Sequence, residues 1–134
     1  MQRTLKMACA VPVLVTAMLA GAPAYATTGA TPLHGQEFTG IASWYGPGFH
    51  GKKSANGETF NSKALTAAHP TLPFGTLVEV SRVNRKKSVI VCITDRGPYV
   101  AGRAIDLSRA AARRLHMSYL GTAAVKIQVV GMVE

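Results

Sequence analysis

Three carboxyls stand where the chain turns rather than on charged faces. Glu58 follows Asn56-Gly57, Asp95 precedes Arg96-Gly97-Pro98, and Asp106 lies inside the apolar stretch Ala104-Ile105-Asp106-Leu107. A carboxyl in such a stretch is desolvated, which favours its protonated form and suits a general acid near neutral pH unless a cation or donor offsets the effect. Asp106 is thereby a candidate for proton transfer. The competing role is structural, as a cap for the following helix or a partner of Arg103 or Arg96, and the residues alone favour it.

His69 closes the small apolar run Leu65-Thr66-Ala67-Ala68 and precedes Pro70. A single histidine there is more often a packing residue than a proton carrier. The four histidines lack the spacing of a ligand pair, so no metal site and no cofactor are expected. The segment Ser43-Trp44-Tyr45-Gly46-Pro47-Gly48-Phe49-His50-Gly51 gathers the single tryptophan, a tyrosine and a phenylalanine in a glycine-rich turn. Aromatic faces around a cleft can stack on sugar rings. Trp44 is expected in the core and Tyr45 on the groove.

The elements that must hold these residues are mostly short strands: Gly40 to Tyr45, Ala64 to Ala68, Thr76 to Val83, Ser88 to Thr94, Ala104 to Leu107 and Val125 to Val133. Turn-forming groups separate them, and Asn84 to Lys87 is a connection of hairpin length that pairs the third and fourth strands antiparallel. One helix is expected from Arg109 to about His116, with Ser108 as N-cap. Six short strands and a helix fit a small closed barrel, which leaves no exposed edge.

The first 26 residues read as an export signal, with Arg3 and Lys6 before the apolar residues 7 to 20 and the cleavage pattern Ala24-Tyr25-Ala26. The apolar run is shorter than the ~20 residues of a membrane-spanning helix. Residues 27–38 are small and polar and read as a flexible leader, with the domain proper at 39–134. Without the first 26 residues the chain holds 13 basic and 6 acidic side chains, a formal charge of +7. An anionic partner follows. Nucleic acid is not expected, because the basic residues do not interleave with aromatic stacking platforms and the export signal directs the chain elsewhere. Cys92, in the run Val89 to Ile93, reads as a buried small hydrophobe rather than a nucleophile.

Six ordered motifs carry a family resemblance: Ala42-Ser43-Trp44-Tyr45-Gly46, Gly51 with Ala55-Asn56-Gly57-Glu58-x-Phe60, Leu65-Thr66-Ala67-Ala68-His69, Leu72-Pro73-Phe74-Gly75-Thr76, Asp95-Arg96-Gly97-Pro98-Tyr99 and Ile105-Asp106-Leu107-Ser108. Together they resemble the rare lipoprotein A family over about residues 39 to 132. The resemblance implies a mainly β fold, the six-stranded double-psi β-barrel shared with expansins, barwins and membrane-bound lytic transglycosylase A, here with one or two short helices. It implies endolytic lytic transglycosylase activity on peptidoglycan, with preference for glycan strands stripped of stem peptides. By motif position the family's functional acid falls on Glu58, its histidine on His69 and its second carboxylate on Asp95. Asp106 matches the acid of the wider barrel superfamily.

In such an enzyme one carboxyl protonates the oxygen between N-acetylmuramic acid and N-acetylglucosamine and then, as base, accepts the proton of the muramic C6 hydroxyl. No water is consumed, so one carboxyl suffices where a glycoside hydrolase needs two. Asp106 or Glu58 is the expected acid/base, with Asp95 and His69 holding substrate. Tyr45, Asn56, Arg96 and Arg103 are the expected substrate contacts, the two arginines as partners for developing charge or the lactyl group. Family members are typically lipoproteins, many with a C-terminal glycan-binding repeat domain. This chain shows no lipobox and stops at Glu134, which implies a periplasmic or secreted, monomeric barrel without a stable membrane anchor. The alternative is a non-catalytic, expansin-like wall-binding module, since fold does not guarantee turnover.

Overall fold

The computed structural model describes residues 34–133. The expected export signal, and the expected leader up to residue 33, lie outside the described residues. Six strands occur: β1 (Glu37–Trp44), β2 (Thr66–Ala68), β3 (Thr76–Arg82), β4 (Ser88–Asp95), β5 (Arg103–Leu107) and β6 (Thr122–Met132). They close into a barrel in the order β1-β5-β2-β4-β3-β6. The pairs β1/β5 and β2/β4 are parallel, and the other four are antiparallel. The expected β3/β4 hairpin is present, with Val80 opposite Val89 and Val78 opposite Val91.

Period-two patterning fills the barrel. Val78 and Val80 of β3, Val89, Val91 and Ile93 of β4, Ile105 and Leu107 of β5, and Val125, Ile127 and Val129 of β6 are all buried in one core. β-Branched side chains dominate it, as a pleated and crowded interior favours. Each such burial contributes about 1.5–3 kcal/mol. Helix α1 (Arg109–Arg114) follows β5 and packs Ala111 and Ala112 against the barrel, beside Leu115 and Met117. Its N-cap is Ser108, as expected, whose hydroxyl accepts from the Ala111 amide at 3.2 Å. Cys92 is fully buried. A single 3-10 turn, Pro47–Phe49, is the other helical piece.

Three strand starts differ from the sequence reading by two residues or more, while the other strand ends agree within one residue and the helix ends at Arg114 rather than about His116. Strand β1 begins at Glu37, so the end of the expected leader and the start of the domain shift: Glu37 and Phe38 pair with Gln128 and Ile127 of β6. The Gly35 amide also bonds the Val129 carbonyl at 2.8 Å. Strand β6 begins at Thr122 rather than Val125 because it pairs there with Ser43 of β1. Strand β2 is limited to Thr66–Ala68, since Ala64 closes a turn onto Asn61. Ladder partners set the starts of β1 and β6, and a local turn sets that of β2.

Candidate active site

The two parallel pairs bring the site together. Ser43 lies opposite Asp106 across β1/β5, Ala68 lies opposite Asp106 across β2/β5, and Ala68 also lies opposite Asp95 across β2/β4. Ser43, Asp106, Ala68 and Asp95 thus form one row across four neighbouring strands. The two aspartates are two strand spacings apart, roughly 10 Å at the backbone. Register shifts fall at Ile41/Ala42 and Ala67/Ala68, just ahead of Ser43 and His69. Such irregularities bend a strand and re-aim the side chains that follow.

Asp95 is engaged on both oxygens. Tyr45 donates its hydroxyl to Oδ2 at 2.7 Å, while the amides of Ala55 and Arg96 donate to Oδ1 at 2.8 and 2.9 Å. The Ala55 bond seats a tight turn on the end of β4. In that turn the Glu58 amide donates to Asn56 Oδ1 at 3.0 Å, the Asn56 side-chain amide donates to Glu58 Oε1 at 3.2 Å, and the Asn56 amide reaches the Thr94 carbonyl at 3.1 Å. Gly57 has φ +93°, a conformation that side chains resist. Asn56 and Glu58 are therefore fixed to the groove through backbone. Glu58 itself is exposed and makes no side-chain bond to Asp95, Asp106 or His69.

Asp106 is half-buried, and its Oδ1 accepts from Ser43 Oγ and from Arg103, the latter an ion pair of 2.7 Å. The cation and donor weighed in the sequence are thus Arg103 and Ser43, while the helix cap falls to Ser108 and not Asp106. Among the described residues, Oδ2 of Asp106 has no hydrogen-bond partner. Tyr45 senses both aspartates: burial first, then the Asp95 carboxylate it bonds, then Asp106, push its phenol well above its ordinary range. The Tyr45 ring stacks on Phe60 at 4.4 Å and meets Phe49 edge-on at 5.3 Å, which fixes the hydroxyl. Trp44 packs against the core, as expected.

His69 is nearly enclosed, with Phe38 beside its ring at 5.8 Å. Its Nδ1 accepts from the amides of Thr71 and Leu72, both at 3.1 Å. That leaves the ring proton on Nε2. Burial first, and the nearby Arg96 second, lower its pKa from 6.5 to about 4. His69 is therefore a neutral hydrogen-bond donor at neutral pH. Arg96 spends Nη1 on the carbonyls of His69 (3.1 Å) and Leu72 (2.8 Å) and lies 4.1 Å over the Phe74 ring. It clamps the 69–74 turn to the end of β4.

The structure accordingly brings Tyr45, Asp95 and Asp106 into electrostatic contact, binds His69 to Arg96, and holds Asn56 and Glu58 on a turn docked to Asp95. Sequence reasoning missed Ser43, Phe60 and the Ala55 amide. Period-two spacing from Tyr45 points to Ser43, and the Glu58-x-Phe60 motif contains the second aromatic ring. Nothing in the sequence marks the Ala55 amide, which is a donor by backbone placement alone.

Two parallel strand pairs in a closed six-stranded barrel make this a double-psi β-barrel protein, with acidic side chains at the ends of the paired strands. Residues 37–127 match the family described as lytic transglycolase, and the chain belongs to that family. Among its relatives, the endolytic peptidoglycan transglycosylase RlpA of Campylobacter jejuni is 55% identical over 97 residues, covering 72% of this chain and 35% of that protein. The protein of the same description from Helicobacter pylori strain J99 is 57% identical over 97 residues, covering 72% and 31%. The probable endolytic peptidoglycan transglycosylase RlpA of Synechocystis is 60% identical over 90 residues, covering 66% and 28%. The chain thus matches about a third of the length of these relatives. Among solved structures, the Streptomyces papain inhibitor is similar with a TM-score of 0.60 at 25% identity, covering 75% of this chain and 99% of that one. An expansin of Clavibacter michiganensis is similar in fold, with a TM-score of 0.56 at 20% identity, covering 71% and 50%.

Proposed function

We propose that this protein is an endolytic peptidoglycan lytic transglycosylase that cuts the bond between N-acetylmuramic acid and N-acetylglucosamine and leaves 1,6-anhydromuramyl ends. Peptide-free glycan strands are its preferred substrate. It works outside the cytoplasm, periplasmic or secreted, as a monomer released by cleavage after Ala26. The observation that carries this reading is the row Ser43, Asp106, Ala68, Asp95 across the paired strands, in a chain of the lytic transglycolase family.

Glu58 and Asp106 each keep one carboxyl oxygen outside any hydrogen bond among the described residues, and one of them is the acid/base. Its proton passes to the glycosidic oxygen as the muramic C1–O bond breaks. The C6 hydroxyl oxygen then bonds to C1, and the carboxylate takes the hydroxyl proton, which restores the acid. Asp95, engaged by three donors on its two oxygens, positions Tyr45 and the turn carrying Glu58. His69, held neutral, offers Nε2–H to a sugar oxygen or acetamide carbonyl. Arg103, beside Asp106, is the cation nearest the developing charge, and its pairing keeps it oriented. Arg96, Asn56 and Tyr45 line the strand's path.

The decisive assay incubates the protein with peptide-free glycan strands and reads the product masses. Anhydromuramyl ends are expected. Reducing ends would mean hydrolysis, and intact strands that retain the protein would replace the enzyme with a wall-binding module. Glu58→Gln and Asp106→Asn then separate acid/base from support: the acid/base variant loses about 100-fold or more in turnover, as removal of general acid catalysis requires.

A further inference from the structure

A second cleft, of about 690 Å³, lies apart from the acidic groove, with Lys63, Lys87, Arg109, Arg113, Arg114 and His116 along its walls. None of Tyr45, Glu58, His69, Asp95 or Asp106 lines it, and no carboxylate does. The ion pairs among the described residues are Arg103 with Asp106 and Lys126 with Glu37, so the cleft's two lysines and three arginines have no acidic partner there. Arg109 and Arg113 are four residues apart on α1, a spacing at which like charges repel. Such a concentration of unpaired cation is held against its own repulsion.

The walls are fixed by bonds that do not use those cations. The Ala110 amide donates to the Ser62 carbonyl at 3.0 Å, and Ser108 Oγ donates to the Ala64 carbonyl at 2.6 Å, which ties the 61–64 turn to the helix. Arg82 Nη1 donates to the His116 carbonyl at 2.9 Å and ties the far end of the helix to β3. The backbone that carries the cations is therefore held in place before any ligand binds.

We infer that this cleft is a binding site for an anion carrying two or more phosphate groups. Arginine forks match phosphate oxygens two at a time. A stripped glycan strand fits less well, because it offers one lactyl carboxylate per disaccharide and the cleft has room for about one such unit against five cations. The phosphates belong either to a soluble polyphosphate or to the headgroup of an anionic lipid that carries two of them. The site is independent of the reading of the acidic groove.

Calorimetric titration of the protein with sodium tripolyphosphate tests the site, with Lys126→Gln as a control outside the cleft. Saturable one-to-one binding is expected, weakened at least tenfold in Arg109→Gln/Arg113→Gln. Lys63→Gln/Lys87→Gln, in turns outside the helix, should reproduce that loss if the helix variant unfolds. Binding that both variants leave intact, or no binding, overturns the inference. So does displacement of tripolyphosphate by peptide-free glycan strands, which would make the cleft a carboxylate site. Flotation with phosphatidylcholine vesicles, with and without cardiolipin, which carries two phosphates, separates the sources. Cardiolipin-dependent flotation that tripolyphosphate competes away assigns the lipid headgroup, and tripolyphosphate binding without flotation assigns the soluble anion. Flotation that tripolyphosphate does not compete away overturns the cleft as the phosphate site.

Discussion

Asp95 owes its place to three donors, and they make unequal predictions. Asp95→Ala strips the acceptor from Tyr45, the Ala55 amide and the Arg96 amide at once. The expected cost is about 2–3 kcal/mol, because hydrogen bonds to a charged group are stronger than neutral ones. Tyr45→Phe removes one hydroxyl and should cost about 1 kcal/mol. Urea midpoints of the two variants measure the difference, and equal costs would mean that Asp95 does not hold the turn. His69 makes a pH prediction. In the unfolded chain it takes a proton near pH 6.5, whereas the folded ring stays neutral down to about 4. The stability contributed by the neutral ring is complete above pH 6.5 and is lost as pH falls toward 4. Thermal midpoints should therefore drop more steeply across that window in the parent than in His69→Asn.

Parallel pairing of β1 with β5 is the element on which Asp106 depends, and Gly40 of β1 lies against Ala104 of β5. A Cβ at Gly40 would lie 2.6 Å from the Cβ of Ala104, too near for any real contact. Gly40→Ala should destabilise by about 1–3 kcal/mol, the usual cost of overpacking. Ala104→Gly removes the obstructing atom, so the double variant should recover part of that loss, and a double-mutant cycle measures the coupling. The activity of Gly40→Ala should fall with it, since Ser43 and Asp106 meet in the same ladder. Additive costs would show that the contact does not limit the approach of β1 to β5.

The molecule as a whole is strongly basic, with a formal charge of +9 and a pI of about 10.1. If the proposed function holds, its encounter with an anionic wall polymer is accelerated by long-range attraction, which salt screens over a Debye length of ~30 Å at 0.01 M and ~3 Å at 1 M. Co-sedimentation with purified wall material should weaken at least tenfold between those salts. Retention unchanged by salt would place the affinity in the groove rather than in the charge. Among the described residues, no helix is long and apolar enough to cross a membrane.

The sequence by itself determined the strand positions, the hairpin, the N-cap at Ser108 and the family motifs, because alternation, turn chemistry and capping are local and leave their marks in residue order. It also placed Glu58, His69, Asp95 and Asp106 in motifs, though not in roles. Tertiary structure alone decided what each of them touches. Asp106 meets Ser43, 63 positions away, only because β1 and β5 run parallel. Asp95 meets Tyr45 across 50 positions because the barrel closes. His69, which reads alone as a packing residue, is both packed and aimed: two amides fix its proton on Nε2, and burial keeps it neutral. The basic cleft was least legible, because Lys63, Lys87 and the arginines of α1 lie far apart in the chain. Local pattern says that such residues are charged and exposed, and only the fold says what they face.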